Sequence, residues 1–266
     1  MIKKFIIVSV ILFSVSKLAL CQVGGISASK LATICADPVP NKVIEFEPSF
    51  GFAFSDKYFD NTSKLTSTFA NSDSVELFSE FNFRLTYGVF ENFEIGTTFP
   101  IDMSVISWGA KFLLNENDFF RTALMTGINL PIGNTILNKN DRHYDNTASY
   151  AAGIVSTLDI SEKTGLDFDI QAQKLFNSTP ENHYLDFFVN LDYSFWLTNE
   201  YQIIAGLNYT NNMFENYNEQ LLTLNLGATI ERHENFLLVV NSPIDLWGKN
   251  VQHIFGLGFA LTISID

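Results

Sequence analysis

From Glu45 to the last residue the chain repeats one pattern about twelve times: short segments in which apolar and polar residues alternate with a period of two. A period of two is the signature of a β-strand, whose successive side chains point to opposite faces. Leu166-Asp167-Phe168-Asp169-Ile170-Gln171-Ala172-Gln173 shows it in pure form, with Leu, Phe, Ile and Ala on one face and Asp, Asp, Gln and Gln on the other. Glu45–Phe54, Val75–Val89, Leu185–Leu197, Leu222–Ile230 and Phe255–Ile265 read the same way, while Phe236–Asn241 is apolar on both faces. The pattern leaves two all-β folds. A soluble sandwich turns its greasy faces inward. A transmembrane barrel turns them to lipid and keeps its wet faces inside.

Connection lengths favour the barrel. Phe90–Asn92, Asn115–Asp118, Ser161–Lys163, Thr198–Glu200 and Arg232–Asn235 are tight links. They alternate with longer ones at Ser55–Ser74, Ile132–Thr147, Phe176–Asn182, Thr210–Glu219 and Ser242–Asn250; only Ile101–Val105 breaks the rule. Short turns at one end and long loops at the other are the pattern of outer-membrane barrels, with the short end periplasmic. The fold class expected is therefore an all-β, antiparallel transmembrane barrel of about twelve strands. A barrel of that size has a narrow or partly plugged lumen.

The amino-terminus sets the compartment. Met1-Ile2-Lys3-Lys4 is basic, Phe5–Val15 is almost wholly apolar, and Ala19 and Cys21 are small residues spaced for cleavage before Gln22. Residues 1–21 read as a secretory signal peptide. The apolar run is short for a retained anchor, and bulky Leu20 disfavours a lipoprotein signal. Residues 22–43 then form an N-terminal periplasmic or plug segment, with a disordered leader as the alternative, and residues 44–266 the barrel. Gly24-Gly25 precedes no strand-to-helix pattern, so it is read as flexible leader rather than a phosphate loop. After the signal no apolar run is long enough for a membrane helix, so a membrane-spanning mature chain must be a closed barrel.

Loss of Lys3, Lys4 and Lys17 with the signal takes the formal charge from −13 to −16. A chain this acidic argues against nucleic acid as a partner. Cys35 would be the one cysteine remaining, which excludes an internal disulfide and a cysteine metal site.

By parity the lumen carries Glu45, Glu47, Glu76, Glu80, Glu94, Asp167, Asp169, Asp186 and Asp192 against Arg84, Lys111 and Arg121. Such a surplus of carboxylates favours cations; the alternative is that they pair with bases and amides and hold the barrel's shape. Pro100, Pro131 and Pro243 fall on the lumen side where strands approach the long loops. Proline suits strand ends, and three of them could also shape a constriction at the mouth. Phe78, Phe188 and Trp196 are apolar residues at polar-face parity. His143, His183 and His253, with Asp102, Asp141 and Asp145, fall near the long-loop rim and are the sole candidates for acid–base or metal chemistry. No G-x-S-x-G or H-E-x-x-H motif accompanies them. No catalytic residue, metal or cofactor is expected.

The run Gly127-Ile128-Asn129-Leu130-Pro131-Ile132-Gly133-Asn134, the strand Gly109-Ala110-Lys111-Phe112 before a tight turn, and the opening Glu45-Phe46-Glu47-Pro48 resemble the outer-membrane barrels grouped as transporters of the meta-pathway of phenol degradation. The resemblance implies uptake of small solutes, aromatic or hydrophobic compounds among them. The end, Ile263-Ser264-Ile265-Asp266, departs from the aromatic terminus common in such barrels. The function expected is an outer-membrane channel passing small solutes through a narrow acidic lumen. Its partners would be outer-membrane lipid and a small-molecule solute. A plugged structural or surface-recognition barrel stands as the alternative.

Overall fold

A computed structural model describes residues 23–27, 31, 33–69, 74–132, 148–176, 182–233 and 235–266. Its elements are β1 (Ile44–Phe59), β2 (Leu65–Ser67), β3 (Glu76–Phe90), β4 (Phe93–Pro100), β5 (Val105–Glu116), β6 (Phe120–Pro131), β7 (Ser149–Ser161), β8 (Thr164–Leu175), β9 (His183–Trp196), β10 (Tyr201–Phe214), β11 (Asn218–His233), β12 (Phe236–Lys249) and β13 (Val251–Ile265). Each long strand pairs antiparallel with its neighbours in sequence, and β13 returns to pair with β1 from Ile44↔Ile265 to Phe59↔Val251. Twelve strands therefore close a barrel; the short β2 pairs only with the far end of β1. Closure satisfies the edge N–H and C=O groups, each of which would cost several kcal/mol if left unpaired in hydrocarbon.

The greasy faces point outward. On β8, Phe168 and Ile170 are 36% and 39% exposed, whereas Asp169, Gln171 and Gln173 are 3% exposed or less. The same inversion holds around the ring, with Phe50, Leu85, Trp108, Leu124, Ile154, Ile203 and Leu226 exposed. Aromatic rings meet across outward positions of neighbouring strands: Phe46 stacks on Phe83 at 5.9 Å, Phe83 meets Phe99 at 5.6 Å, and Phe54 meets Phe255 at 5.2 Å. Such cross-strand pairs pin the register.

Two loops expected from the sequence are strand instead. Thr210–Glu219 is mostly ladder: β10 runs to Phe214, and the pairing continues through Asn212↔Glu219 to Met213↔Asn218. Ser242–Asn250 is also mostly strand, with β12 running to Lys249 and Asn250 alone turning, at φ 55°. The reason is physical. β12 carries a bulge where Leu222↔Trp247 gives way to Thr223↔Asp245, which breaks the period of two, and the β10–β11 ladder continues through polar Asn211, Asn212 and Glu219.

Pro243 is corrected with them. Pro100 and Pro131 end β4 and β6, but Pro243 lies inside β12, opposite Asn225 of β11. The β12–β13 ladder lapses between Asn241↔Gly258 and Ile244↔Phe255, as a residue without an N–H requires. Side chains bridge the lapse: Ser242 Oγ donates to the Gly256 carbonyl at 3.0 Å, and Asp245 Oδ2 accepts the Ile254 N–H at 2.7 Å.

Candidate functional site

The barrel's inner wall holds the chain's own N-terminal segment. Val23, Ile26, Ile34 and Ala36 pack against Ala123 and Met125 of β6 and Ala151 and Val155 of β7, forming the buried apolar cluster. Burying side chains of this kind is worth about 1.5–3 kcal/mol each for the larger ones. The wall positions are small or flexible, and that leaves room for the segment.

The polar contacts go to its main chain. Val23 N–H donates to Gln171 Oε1 at 3.0 Å, Gly25 N–H to Thr98 Oγ1 at 2.8 Å, and Ser27 N–H to Glu94 Oε1 at 2.7 Å. Thr33 N–H reaches Asp192 Oδ2 at 3.2 Å, Ile34 N–H reaches Asp169 Oδ2 at 2.9 Å, and Ala36 N–H reaches Thr157 Oγ1 at 2.9 Å. Val39 N–H returns to Glu94, at Oε2, 2.6 Å away. The carbonyls are met by bases. Arg84 Nη1 donates to Ile26 O at 3.0 Å, and Lys111 Nζ lies 3.1, 3.0 and 2.8 Å from the carbonyl oxygens of Ser27, Cys35 and Asp37. Glu94 and Lys111, adjacent cross-strand partners, thus bind both arms of the segment at one point.

Gly24-Gly25 is not a flexible leader. Gly25 has φ +84°, and a Cβ there would lie 2.5 Å from the Gly96 carbonyl oxygen. The pair is seated directly on the wall.

The expected lumen residues are thereby distributed. Arg84, Lys111, Asp169 and Asp192 bind the segment's backbone. Arg121 bridges Asp37 of the segment and Asp159 of β7, at 2.6 Å each. Asp167 accepts from Thr157 Oγ1 at 2.6 Å, and Glu76 accepts from Gln252. Asp186 lies 2.5 Å from His183 Nε2, and Glu80 packs over Gly51. Arg84 is also held by Glu47, at 2.6 Å, and Glu45, at 3.5 Å. These side chains face the axis, but around the segment they face peptide rather than water. Pro243 reaches the inward-facing Gly256.

Below the segment, at the short-turn end, lies a cavity of about 560 Å³. Cys35 and Asp37 roof it, and Arg121, Asp159, Asp167, Asp192, Trp196 and Leu237 line it. Burial pushes the Cys35 thiol up to about 11. Burial also raises the Asp37 carboxyl, against the opposing pull of Arg121 and Lys111.

The described rim histidines, His183 and His253, form no joint site. His183 pairs with Asp186 and stacks on Phe214 at 4.4 Å, Phe59 meets His253 at 5.6 Å, and exposed Asp102 binds the Ser104 N–H. His143, Asp141 and Asp145 lie outside the described residues. Among the described residues no cluster of three or more His, Cys, Asp or Glu could hold a metal ion.

The role of Glu94 as the segment's anchor escaped the sequence. Its parity was legible, but its partners lie 55 and 67 residues away.

A closed antiparallel barrel with an apolar exterior and a polar interior is the architecture of outer-membrane β-barrels, and this chain has that fold. The fold is similar to that of the COG4313 outer membrane channel from Pseudomonas putida F1, with a TM-score of 0.66 at 13% identity over 86% of this chain and 98% of that one. It is also similar to the KdgM porin solved with disordered oligogalacturonate, with a TM-score of 0.52 at 8% identity over 84% and 99% of the two chains. A third likeness is to the CymD monoaromatic hydrocarbon channel, with a TM-score of 0.51 at 9% identity over 93% and 99%. No family model matches the chain, and no curated protein matches it.

Proposed function

We propose that the protein is an outer-membrane channel for small solutes whose standing state is closed by its own residues 23–27 and 33–39. One observation carries this reading: the ring of strand ladders is complete without the segment, while the segment is held by side-chain contacts to its main chain. The wall does not need the plug for its backbone bonds, so the plug can move while the barrel stays intact. The acidic surplus of the inner wall would then select cations over anions. The inward Phe78, Phe188 and Trp196, with the likeness to an aromatic-hydrocarbon channel, support small aromatic or hydrophobic solutes.

The complete burial of Glu94 and Lys111 favours a second reading, a permanently plugged structural barrel. Planar-bilayer recording separates the two. The channel reading expects rare openings in the native protein and frequent ones in Glu94→Ala. No conductance and no liposome uptake of small solutes by either protein would sink it.

A further inference from the structure

The contacts of Val23–Ser27 share a chemistry that a mere stopper does not need. Thr98 accepts the Gly25 N–H, Thr86 Oγ1 donates to the Gly25 carbonyl at 2.8 Å, Arg84 donates to the Ile26 carbonyl, and Glu94 accepts the Ser27 N–H. Apart from those at the Ser27 hydroxyl, the polar contacts read peptide groups rather than side chains. Arg84 and Glu94 are buried and held in place, by Glu47 and Lys111, so the donors and acceptors are aimed in advance.

Beside them the wall is bare backbone. Gly96 pairs with Gly109, and Gly109 with Gly127, across β4, β5 and β6. A side chain at Gly96 would strike the Gly25 carbonyl, and one at Gly109 would strike that of Gly24. Conversely, a Cβ at Gly24 would lie 2.5 Å from Ser107 Cβ. The close approach needs glycine on both partners.

We infer that the inner wall of β3–β6 is a binding site for a short peptide containing adjacent glycines, and that Val23–Ser27 occupies it as a tethered competitor. A free peptide of that kind takes the same hydrogen bonds and displaces the segment. The inference rests on the proposed channel only for how a peptide reaches the site. A tether gives the chain's own segment an effective concentration on the order of millimolar, so a free peptide competes best where the tethered copy is weakened.

The test uses full-length protein carrying Gly25→Ala, which spoils the occupant and leaves the wall intact. Fluorescein-labelled Val-Gly-Gly-Ile-Ser is titrated with the detergent-solubilised variant and followed by anisotropy. It should bind at least about tenfold tighter than Val-Ala-Ala-Ile-Ser, one decade being about 1.4 kcal/mol. Adding Gly96→Val should abolish the difference. In the native protein, millimolar Val-Gly-Gly-Ile-Ser should speed reaction of the Cys35 thiol with a maleimide, because Lys111 ties Ser27 to Cys35. Equal effects of the two peptides, or none from either in a barrel that retains its strand circular dichroism, overturn the inference. Should Gly25→Ala not fold, the native-protein arm decides alone. A barrel that binds the peptide but never conducts would refute the channel and leave the binding site standing.

Discussion

Glu94 and Lys111 face each other across the β4–β5 ladder, with Oε1 and Nζ 3.2 Å apart and both side chains wholly buried. Each also binds main-chain groups of the N-terminal segment on both of its arms. The pair is the point at which barrel and plug are one structure.

Removing one partner strands the other's charge in a dry place, which typically costs about 3–5 kcal/mol. Glu94→Gln and Lys111→Met should each loosen the segment by that order. Because Cys35 sits in the segment, its reaction rate with a maleimide reports the loosening. A rise of roughly a hundredfold or more is expected, at 1.4 kcal/mol per decade. The double variant should rise less than the product of the singles, since it leaves no charge unpaired. Unchanged rates would show that the apolar cluster alone holds the plug.

The Cys35 thiol should make the seating of the N-terminal segment sensitive to alkali. Its pKa is raised to about 11 from an ordinary 9.0, with burial as the cause. The seated segment holds the proton more tightly than the released one, so this contribution is intact below pH 9. It is lost as pH climbs from about 9 towards 11. Release of the segment, read by limited proteolysis in that window, should steepen with pH in the native protein. Cys35→Ser should flatten the response.

The lapse in the β12–β13 ladder rests on Asp245, which accepts the Ile254 N–H at 2.7 Å and the Thr223 hydroxyl at 2.7 Å. Asp245→Ala leaves a part-buried amide without its acceptor, at a cost of about 1 kcal/mol. Urea unfolding from vesicles, followed by tryptophan fluorescence, should shift to lower denaturant by that amount. Asp245→Asn should recover part of it through its carbonyl oxygen.

Adjacent residues on β8 should answer oppositely to charge. Ile170 points outward, 39% exposed, and on a lipid-facing surface an arginine costs about 2–4 kcal/mol near the bilayer midplane. Ile170→Arg should therefore lower barrel stability in vesicles by that order. Gln171→Arg should leave the ladder stable and instead disturb Val23, whose N–H the glutamine accepts. Equal loss of barrel stability from both would contradict the assigned faces.

The alternation in Leu166–Gln173 by itself determined that β8 is a strand with one wet and one greasy face, since side-chain direction follows local backbone geometry. The repetition of that pattern carried the barrel class and nearly every strand, although two of the five long links that argued for it, Thr210–Glu219 and Ser242–Asn250, are mostly strand. Polarity was a poor guide in the later parts of β10 and β12, because strand pairing continues there through polar residues and past a bulge. Only the tertiary structure decided what Asp169, Glu94 and Lys111 do. Parity pointed them at the axis, but whether they met water or peptide depended on where residues 23–27 and 33–39 came to lie. That placement rests on hydrogen bonds spanning up to 159 residues of sequence and on glycines brought together by strand register. Contacts of that range leave no local pattern, so Gly24-Gly25 could show its freedom in the sequence but not the wall it rests against.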